Sequence, residues 1–133
     1  MPGGVRTEVH LAGEDTGGAF CLLVDEPPAG WSLPAHRHRN EAETIHIVSG
    51  TFWMEVDGRR MRLEAGQTVH IARGVVHAGG TLGDQPGRRV IVFSPAGLER
   101  FFLEAGAPAP GAETSRAAAL EAATRHGWEF VTR

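Results

Sequence analysis

Hydrophobic and polar positions alternate over short stretches of the chain, and glycines separate many of these stretches. The clearest case is a segment in which Phe52, Met54 and Val56 occupy every second position before an Asp-Gly pair. Alternation of this kind places the three side chains on one face of a β-strand. An Asp-Gly pair is typical of a two-residue hairpin turn, after which residues 59–63 return. The pattern therefore predicts a β-hairpin.

Six other short segments have the character of strands, because they are rich in β-branched and apolar residues or alternate in polarity. These segments are 6–11, 19–24, 44–48, 68–72, 75–78 and 89–93. Many short strands joined by turns indicate an all-β sandwich or barrel. We therefore predict that a β-barrel occupies residues 1–95.

The pattern changes after residue 95, where helical spacing replaces alternation. Leu98, Phe101 and Phe102 have the i, i+3, i+4 spacing of an apolar helical stripe. A segment rich in alanine and arginine, 113–126, predicts a second helix that ends before a glycine. We predict that residues 96–133 form a helical C-terminal extension packed on the barrel.

Composition narrows the possible chemistry and partners. The chain has 133 residues, 41% of them hydrophobic, and a net charge of −3, which is typical of one globular domain. The negative charge gives no reason to expect a nucleic acid or an anionic membrane as partner. No apolar run approaches the roughly 20 residues needed to span a bilayer. The chain contains no lysine and no tyrosine, which excludes Schiff-base catalysis and catalysis by a phenol.

The single cysteine, Cys21, cannot form an internal disulfide. It lies in an apolar run, so we expect a buried packing residue and not a nucleophile. The first residues lack the basic stretch followed by an apolar stretch that defines a signal peptide. These observations favour a cytoplasmic location.

Four residues are candidate ligands for a metal ion: His36, His38, Glu43 and His77. Because His36 and His38 are two positions apart, a strand projects both imidazoles to the same side. Glu43 follows in the next strand or turn, and His77 follows a later turn. Three imidazoles and one carboxylate suit a mononuclear transition-metal site without sulfur ligands.

Four protein ligands leave positions open on an ion that prefers five or six, and an open position is what makes a metal site catalytic. We expect one divalent ion per chain, namely iron, manganese, nickel, cobalt or copper, with zinc also possible. The alternative is a solvated loop, since Arg37 and Arg39 flank the histidines. The spaced glycines, the carboxylate and the distant His77 favour the metal site.

The arrangement resembles the two motifs of the cupin superfamily. The first motif matches at Gly30, His36, His38, Glu43 and Gly50. The second motif matches at Gly66, Gly74 and His77. The sequence departs from the second motif at Ala72, where proline is usual, and at Thr81, where asparagine is usual. Neither departure removes a candidate ligand.

This resemblance implies an all-β double-stranded helix, or jelly-roll barrel, of six antiparallel strands with a four-ligand metal site and frequent homodimerisation. Residues 94–102 and 118–131 are similar to the corresponding parts of small bacterial quercetinase-like cupins. The last of these residues, 128–131, alternate in polarity and are expected to be extended. Trp31 and Trp53 are candidates for a dimer surface, where aromatic residues are enriched.

A substrate pocket beside the metal should have apolar walls. Candidates from the predicted strands and the first helix are Ile45, Ile47, Phe52, Met54, Val75, Phe93 and Phe101; the alternative for each is core packing. Glu43 is the candidate catalytic residue, since a carboxylate at the metal can also accept a proton from a substrate hydroxyl. His46 and His70 are expected to be structural or interface residues.

Three classes of function are compatible with such a site. The quercetinase-like resemblance favours a dioxygenase acting on a small, aromatic or flavonol-like hydroxylated substrate. The same site could instead polarise a carbonyl without redox chemistry, as in an isomerase, cyclase or lyase of secondary metabolism. The third class is a small-molecule-binding module without catalysis.

Overall fold

A computed structural model of the chain describes residues 1, 4–105 and 124–131. In chain order the elements are β1 (Arg6–Leu11), α1 (Gly13–Thr16), β2 (Cys21–Glu26), β3 (Ser32–His38), β4 (Ala42–Ser49), β5 (Thr51–Val56), β6 (Arg59–Glu64), β7 (Thr68–Ile71), β8 (His77–Leu82), β9 (Arg88–Ser94), α2 (Glu99–Ala105) and β10 (Trp128–Phe130). The all-β prediction is therefore confirmed.

The strands form two antiparallel five-stranded sheets, with orders β1-β2-β9-β4-β7 and β10-β3-β8-β5-β6. Consecutive strands often belong to different sheets, so the chain crosses repeatedly between the two layers. The buried apolar residues of both sheets form one core. The described residues thus form ten strands, where the resemblance implied six.

The hairpin predicted from alternation is confirmed, with β5 paired to β6. Asp57 and Gly58 both have positive φ, 50° and 79°. Positive φ at both central positions defines the turn type whose twist matches that of the flanking strands. Phe52 and Met54 are buried on the inner face.

Strand β3, which carries two of the candidate ligands, contains a β-bulge. Leu33 pairs with Gly79, but His36 pairs with His77, so three steps on β3 match two steps on β8. The extra residue reverses the alternation between Leu33 and His36. As a result both of these side chains point inward, although an odd number of steps separates them.

Strand β8 differs most from its prediction, because it begins at His77 and continues to Leu82. Two glycines discourage a strand prediction here. The structure explains Gly80, since a Cβ at this position would lie 2.6 Å from both the Trp31 carbonyl oxygen and Trp53 Nε1. The close approach of neighbouring strands requires a residue without a side chain.

The described part of the C-terminal extension consists of α2 and β10. Leu98, Phe101 and Phe102 are buried against the core, as the helical stripe predicts. The tail is extended as expected, because Trp128 and Phe130 pair with His38 and His36 of β3. The second predicted helix, 113–126, lies outside the described residues except at its end.

Among the described residues, the structure contains no helix of the length and apolar character that crossing a membrane requires.

Candidate metal centre

Two paired strands of one sheet, β3 and β8, and strand β4 of the facing sheet bring the four candidate ligands together inside the barrel. His36 and His38 come from β3, Glu43 from β4 and His77 from β8. All four are buried, with 3–4% of each residue exposed. Arg37, between the two histidines of β3, is exposed, so alternation separates the ligands from the solvated arginine as predicted.

The distances within this group fit a single ion. One nitrogen from each of His36, His38 and His77 lies within 4.8 Å of the other two. Glu43 Oε1 lies 3.1 Å from His77 Nε2 and 3.3 Å from His38 Nε2. Two ligand atoms about 2.1 Å from one ion and at a right angle are about 3.0 Å apart. The three buried histidines could therefore bind a metal ion, with the carboxylate beside it.

Hydrogen bonds orient two of the imidazoles for metal binding. His36 Nδ1 donates to the Pro34 carbonyl oxygen at 2.7 Å, and His77 Nδ1 donates to the Val75 carbonyl oxygen at 3.0 Å. With Nδ1 protonated, a neutral imidazole presents the lone pair of Nε2. His77 Nε2 then faces the carboxylate of Glu43, so the contact requires either a second proton or a cation. A bound metal ion would supply that cation.

The pKa shifts follow from burial and from these contacts. Burial, followed by the neighbouring His77 and His38, lowers the pKa of His36 to about 3 and keeps it neutral. Burial opposes ionisation of Glu43, but hydrogen bonds from His38 and His77 hold its pKa well below the usual range. Burial also disfavours the charged form of His77, yet the Glu43 carboxylate raises the pKa of this histidine overall. The group therefore contains an ionised carboxylate, the form that binds metals.

A small cavity of about 20 Å³ adjoins the four ligands. Besides the ligands, its lining includes Trp31, Leu33, Ile45, Met54, Arg89 and Trp128. Ile45 and Met54 are thus the predicted pocket residues that contact the cavity. Ile47, Phe52, Phe93 and Phe101 are buried in the surrounding core, and Val75 is half-buried against it.

Six lining residues were not predicted to lie beside the metal, namely Met1, Trp31, Leu33, Gly79, Arg89 and Trp128. Leu33 faces inward only because of the bulge in β3. Trp128 reaches the cavity from the distant strand β10, and its ring lies 5.2 Å from that of His36 and 4.6 Å from that of His38. Arg89 belongs to β9, in which Arg89, Ile91 and Phe93 alternate with more exposed residues and face inward. This alternation is the sequence signal from which the inward position of Arg89 could have been predicted.

Trp31 is buried and lines the cavity, so its predicted position at a dimer surface is wrong. Thr81, which departs from the family motif, holds Trp31 in place. Its hydroxyl donates to the Pro28 carbonyl oxygen at 2.9 Å and accepts from the Trp31 backbone N–H at 3.1 Å. The threonine therefore fixes the loop that carries a cavity wall.

His46 and His70 lie outside the metal group, on the exposed face of their sheet. His46 Nδ1 lies 2.8 Å from Thr68 Oγ1, and His70 Nδ1 lies 2.9 Å from Thr44 Oγ1. Both are exposed, and the expected structural or interface role of these histidines stays a prediction.

The fold and the buried ligand group define a β-barrel with a candidate metal site. The Cupin domain model matches residues 22–93, more than half of the chain, so the chain belongs to the cupin family. Over 103 residues the chain is 30% identical to quercetin 2,3-dioxygenase of Bacillus subtilis, covering 77% of this chain. The chain spans only 30% of the length of that curated relative.

Solved structures show the same fold. KdgF from Halomonas sp. has a TM-score of 0.65 and 18% identity, covering 73% of this chain and 84% of its own. A predicted oxalate decarboxylase from Thermotoga maritima has a TM-score of 0.64 and 22% identity, covering 68% and 80% of the two chains. At these identities the likeness concerns the fold alone.

Proposed function

We propose that this protein is a metal-dependent dioxygenase acting on a small hydroxylated substrate. The observation that carries the proposal is the convergence of three buried imidazoles and one buried carboxylate on one point beside a mostly apolar cavity. The similarity to a quercetin 2,3-dioxygenase supports the choice of oxygen chemistry. Such a ligand set suits redox-active ions such as iron, manganese, cobalt, nickel and copper.

His36, His38 and His77 would hold the ion through neutral imidazole nitrogens, and Glu43 would supply the fourth ligand atom. The bound ion would contribute Lewis acidity and access to a second oxidation state. Glu43 would also accept the proton of the substrate hydroxyl, since its Oε1 lies 3.1 and 3.3 Å from two of the ligand nitrogens and therefore beside the ion. The apolar walls would exclude water from the reacting groups.

The cavity favours a substrate with few heavy atoms. About 20 Å³ is little more than one water molecule needs. Admission of a three-ring flavonol would require the surrounding side chains to move apart. We therefore propose a small hydroxylated compound, and the flavonol-like substrate stays a prediction.

A non-redox isomerase, cyclase or lyase is the second candidate. The same nitrogen and oxygen ligands also accept zinc, which polarises carbonyl groups without using oxygen. The two candidates differ in whether turnover consumes O2.

Oxygen uptake tests the proposal. Stripped protein is reloaded separately with iron, manganese, cobalt, nickel, copper and zinc and assayed with hydroxylated substrates of increasing size, from small α-hydroxy ketones and 1,3-diketones to catechols and flavonols. We expect uptake with at least one redox-active metal, none with zinc, and none in His38→Ala. Conversion of a substrate by the zinc form without oxygen consumption would replace the dioxygenase by the non-redox enzyme.

Glu43→Gln separates the two roles of this carboxylate. The amide keeps the shape and one oxygen ligand but cannot accept a proton at neutral pH. We expect the turnover number to fall by about 100-fold or more, with a smaller loss of bound metal. Turnover and metal content are measured on the same preparation. Equal losses of both would show that Glu43 is only a ligand.

A further inference from the structure

Arg89 is a buried cation in the same cavity as the candidate metal ligands. Only 4% of the residue is exposed. It pairs in register with Asp25 of the neighbouring strand β2. Arg89 Nε and Nη2 donate to the two oxygens of Asp25 at 2.9 and 2.6 Å. A fork of this kind fixes the guanidinium plane.

Two aromatic rings also contact the guanidinium of Arg89. Its guanidinium carbon lies 5.0 Å from the centre of the Trp31 ring and 5.3 Å from the centre of the Phe52 ring. Both distances are within the range of cation–π attraction. The third nitrogen, Nη1, makes no hydrogen bond to any residue that the structure describes, while Arg89 lines the cavity. One donor group of a rigid cation is therefore left for a ligand.

Strand register sets the position of Arg89 relative to the metal ligands. On the paired strands β4 and β9, Glu43 is opposite Phe93 and Ile47 is opposite Arg89. Glu43 and Arg89 are therefore offset by four residues along the paired strands, which corresponds to about 13 Å between their backbones. Both side chains project into the barrel interior. A short ligand that reaches both side chains would lie beside Ile45, and the side chains around the small cavity would move apart to admit it.

We propose that Arg89 binds a carboxylate of the substrate, so that the substrate is a small hydroxy acid with its hydroxyl at the metal and its carboxylate at Arg89. This inference rests on the proposed function, which places the hydroxyl at the metal. The cavity has one polar end at the metal ligands, another at the guanidinium, and apolar walls of Leu33, Ile45 and Met54 between them. The Met1 amine lines the same cavity, but burial lowers its pKa to about 5, so it is neutral at pH 7. A divalent ion together with Glu43, Arg89 and Asp25 then leaves one positive charge in excess, which an anionic substrate neutralises.

The test measures binding of 3-hydroxypropanoate and of its neutral amide, 3-hydroxypropanamide, to zinc-loaded protein by calorimetry. The acid should bind about 10- to 100-fold more tightly than the amide, the usual range for a hydrogen bond between charged groups. The double variant Arg89→Met with Asp25→Asn removes the cation without leaving a buried, unpaired carboxylate. It should lose the preference for the acid and keep the affinity for the amide.

Arg88→Met is the matched control. Arg88 is the preceding residue of β9, is exposed and pairs with Glu26, so this variant should keep the full preference for the acid. If the double variant does not fold, Arg89→Lys provides the same test, because one ammonium bound to Asp25 cannot reproduce the free nitrogen of the fork. A variant that still prefers the acid as strongly as the parent overturns the proposal, because the metal alone then holds the carboxylate. Zinc binding requires no turnover, so a failure of the oxygen assay would not affect this result.

Discussion

Replacing His38 with alanine is expected to lower the affinity for the metal ion by about 100-fold or more. Loss of a group that only supports a ligand typically weakens metal binding 10- to 100-fold, and the imidazole of His38 is itself one of the three converging nitrogens. The remaining nitrogens and the carboxylate would form an incomplete site. Metal content after dialysis and competition with a chelator measure the loss.

The barrel of His38→Ala should remain folded without metal. The side chain is buried, but its Nδ1 has no hydrogen-bond partner in the described residues. Removing this nitrogen therefore leaves no other group without its hydrogen-bond partner. Circular dichroism checks the fold. His46→Ala is the control, because His46 lies on the exposed face of β4 and bonds to Thr68. A full complement of metal in His38→Ala would exclude His38 as a ligand.

The hairpin and the ligand group could be predicted because each depends on local rules. Asp57-Gly58 determines the turn, and the spacing of His36 and His38 on an exposed-buried alternation determines their common direction. The prediction of Glu43 as a ligand required one further assumption, that the strand or turn after β3 lies close to it. The pairing of His36 with His77 across β3 and β8 confirms that these separate motifs meet.

The cavity walls could not be predicted as well, since they depend on contacts between distant parts of the chain. The bulge in β3 changes which residues face inward, and its one local sign is Pro34, since proline within a sheet is confined to edges, strand starts and bulges. Arg89 is an inward-facing charge whose burial makes sense only beside Asp25, 64 residues earlier in the chain. Trp128 enters the site because β10 pairs with β3, which precedes it by some ninety residues.

Trp128→Ala is expected to destabilise the protein by about 3–5 kcal/mol, the usual cost of removing a large buried aromatic side chain. The tryptophan is 1% exposed and its ring lies 5.1 Å from that of Phe101. It therefore links helix α2 to β3 through the strand that pairs beside His36 and His38. Denaturant unfolding of the metal-free protein measures the change in the free energy of unfolding.

The same substitution should also weaken metal binding, by about 10-fold, because the ring packs on both imidazoles of β3 and holds their orientation.

Two variants serve as controls. Trp128→Phe keeps an aromatic ring and removes an indole N–H that is buried without a partner in the described residues. It should lower the free energy of unfolding by about 1 kcal/mol or less and preserve metal affinity. Trp53→Ala removes a half-buried tryptophan beside Arg60 and should cost about 1 kcal/mol, the scale of one exposed cation–π contact. Normal stability and metal affinity in Trp128→Ala would mean that the C-terminal strand does not support the metal site.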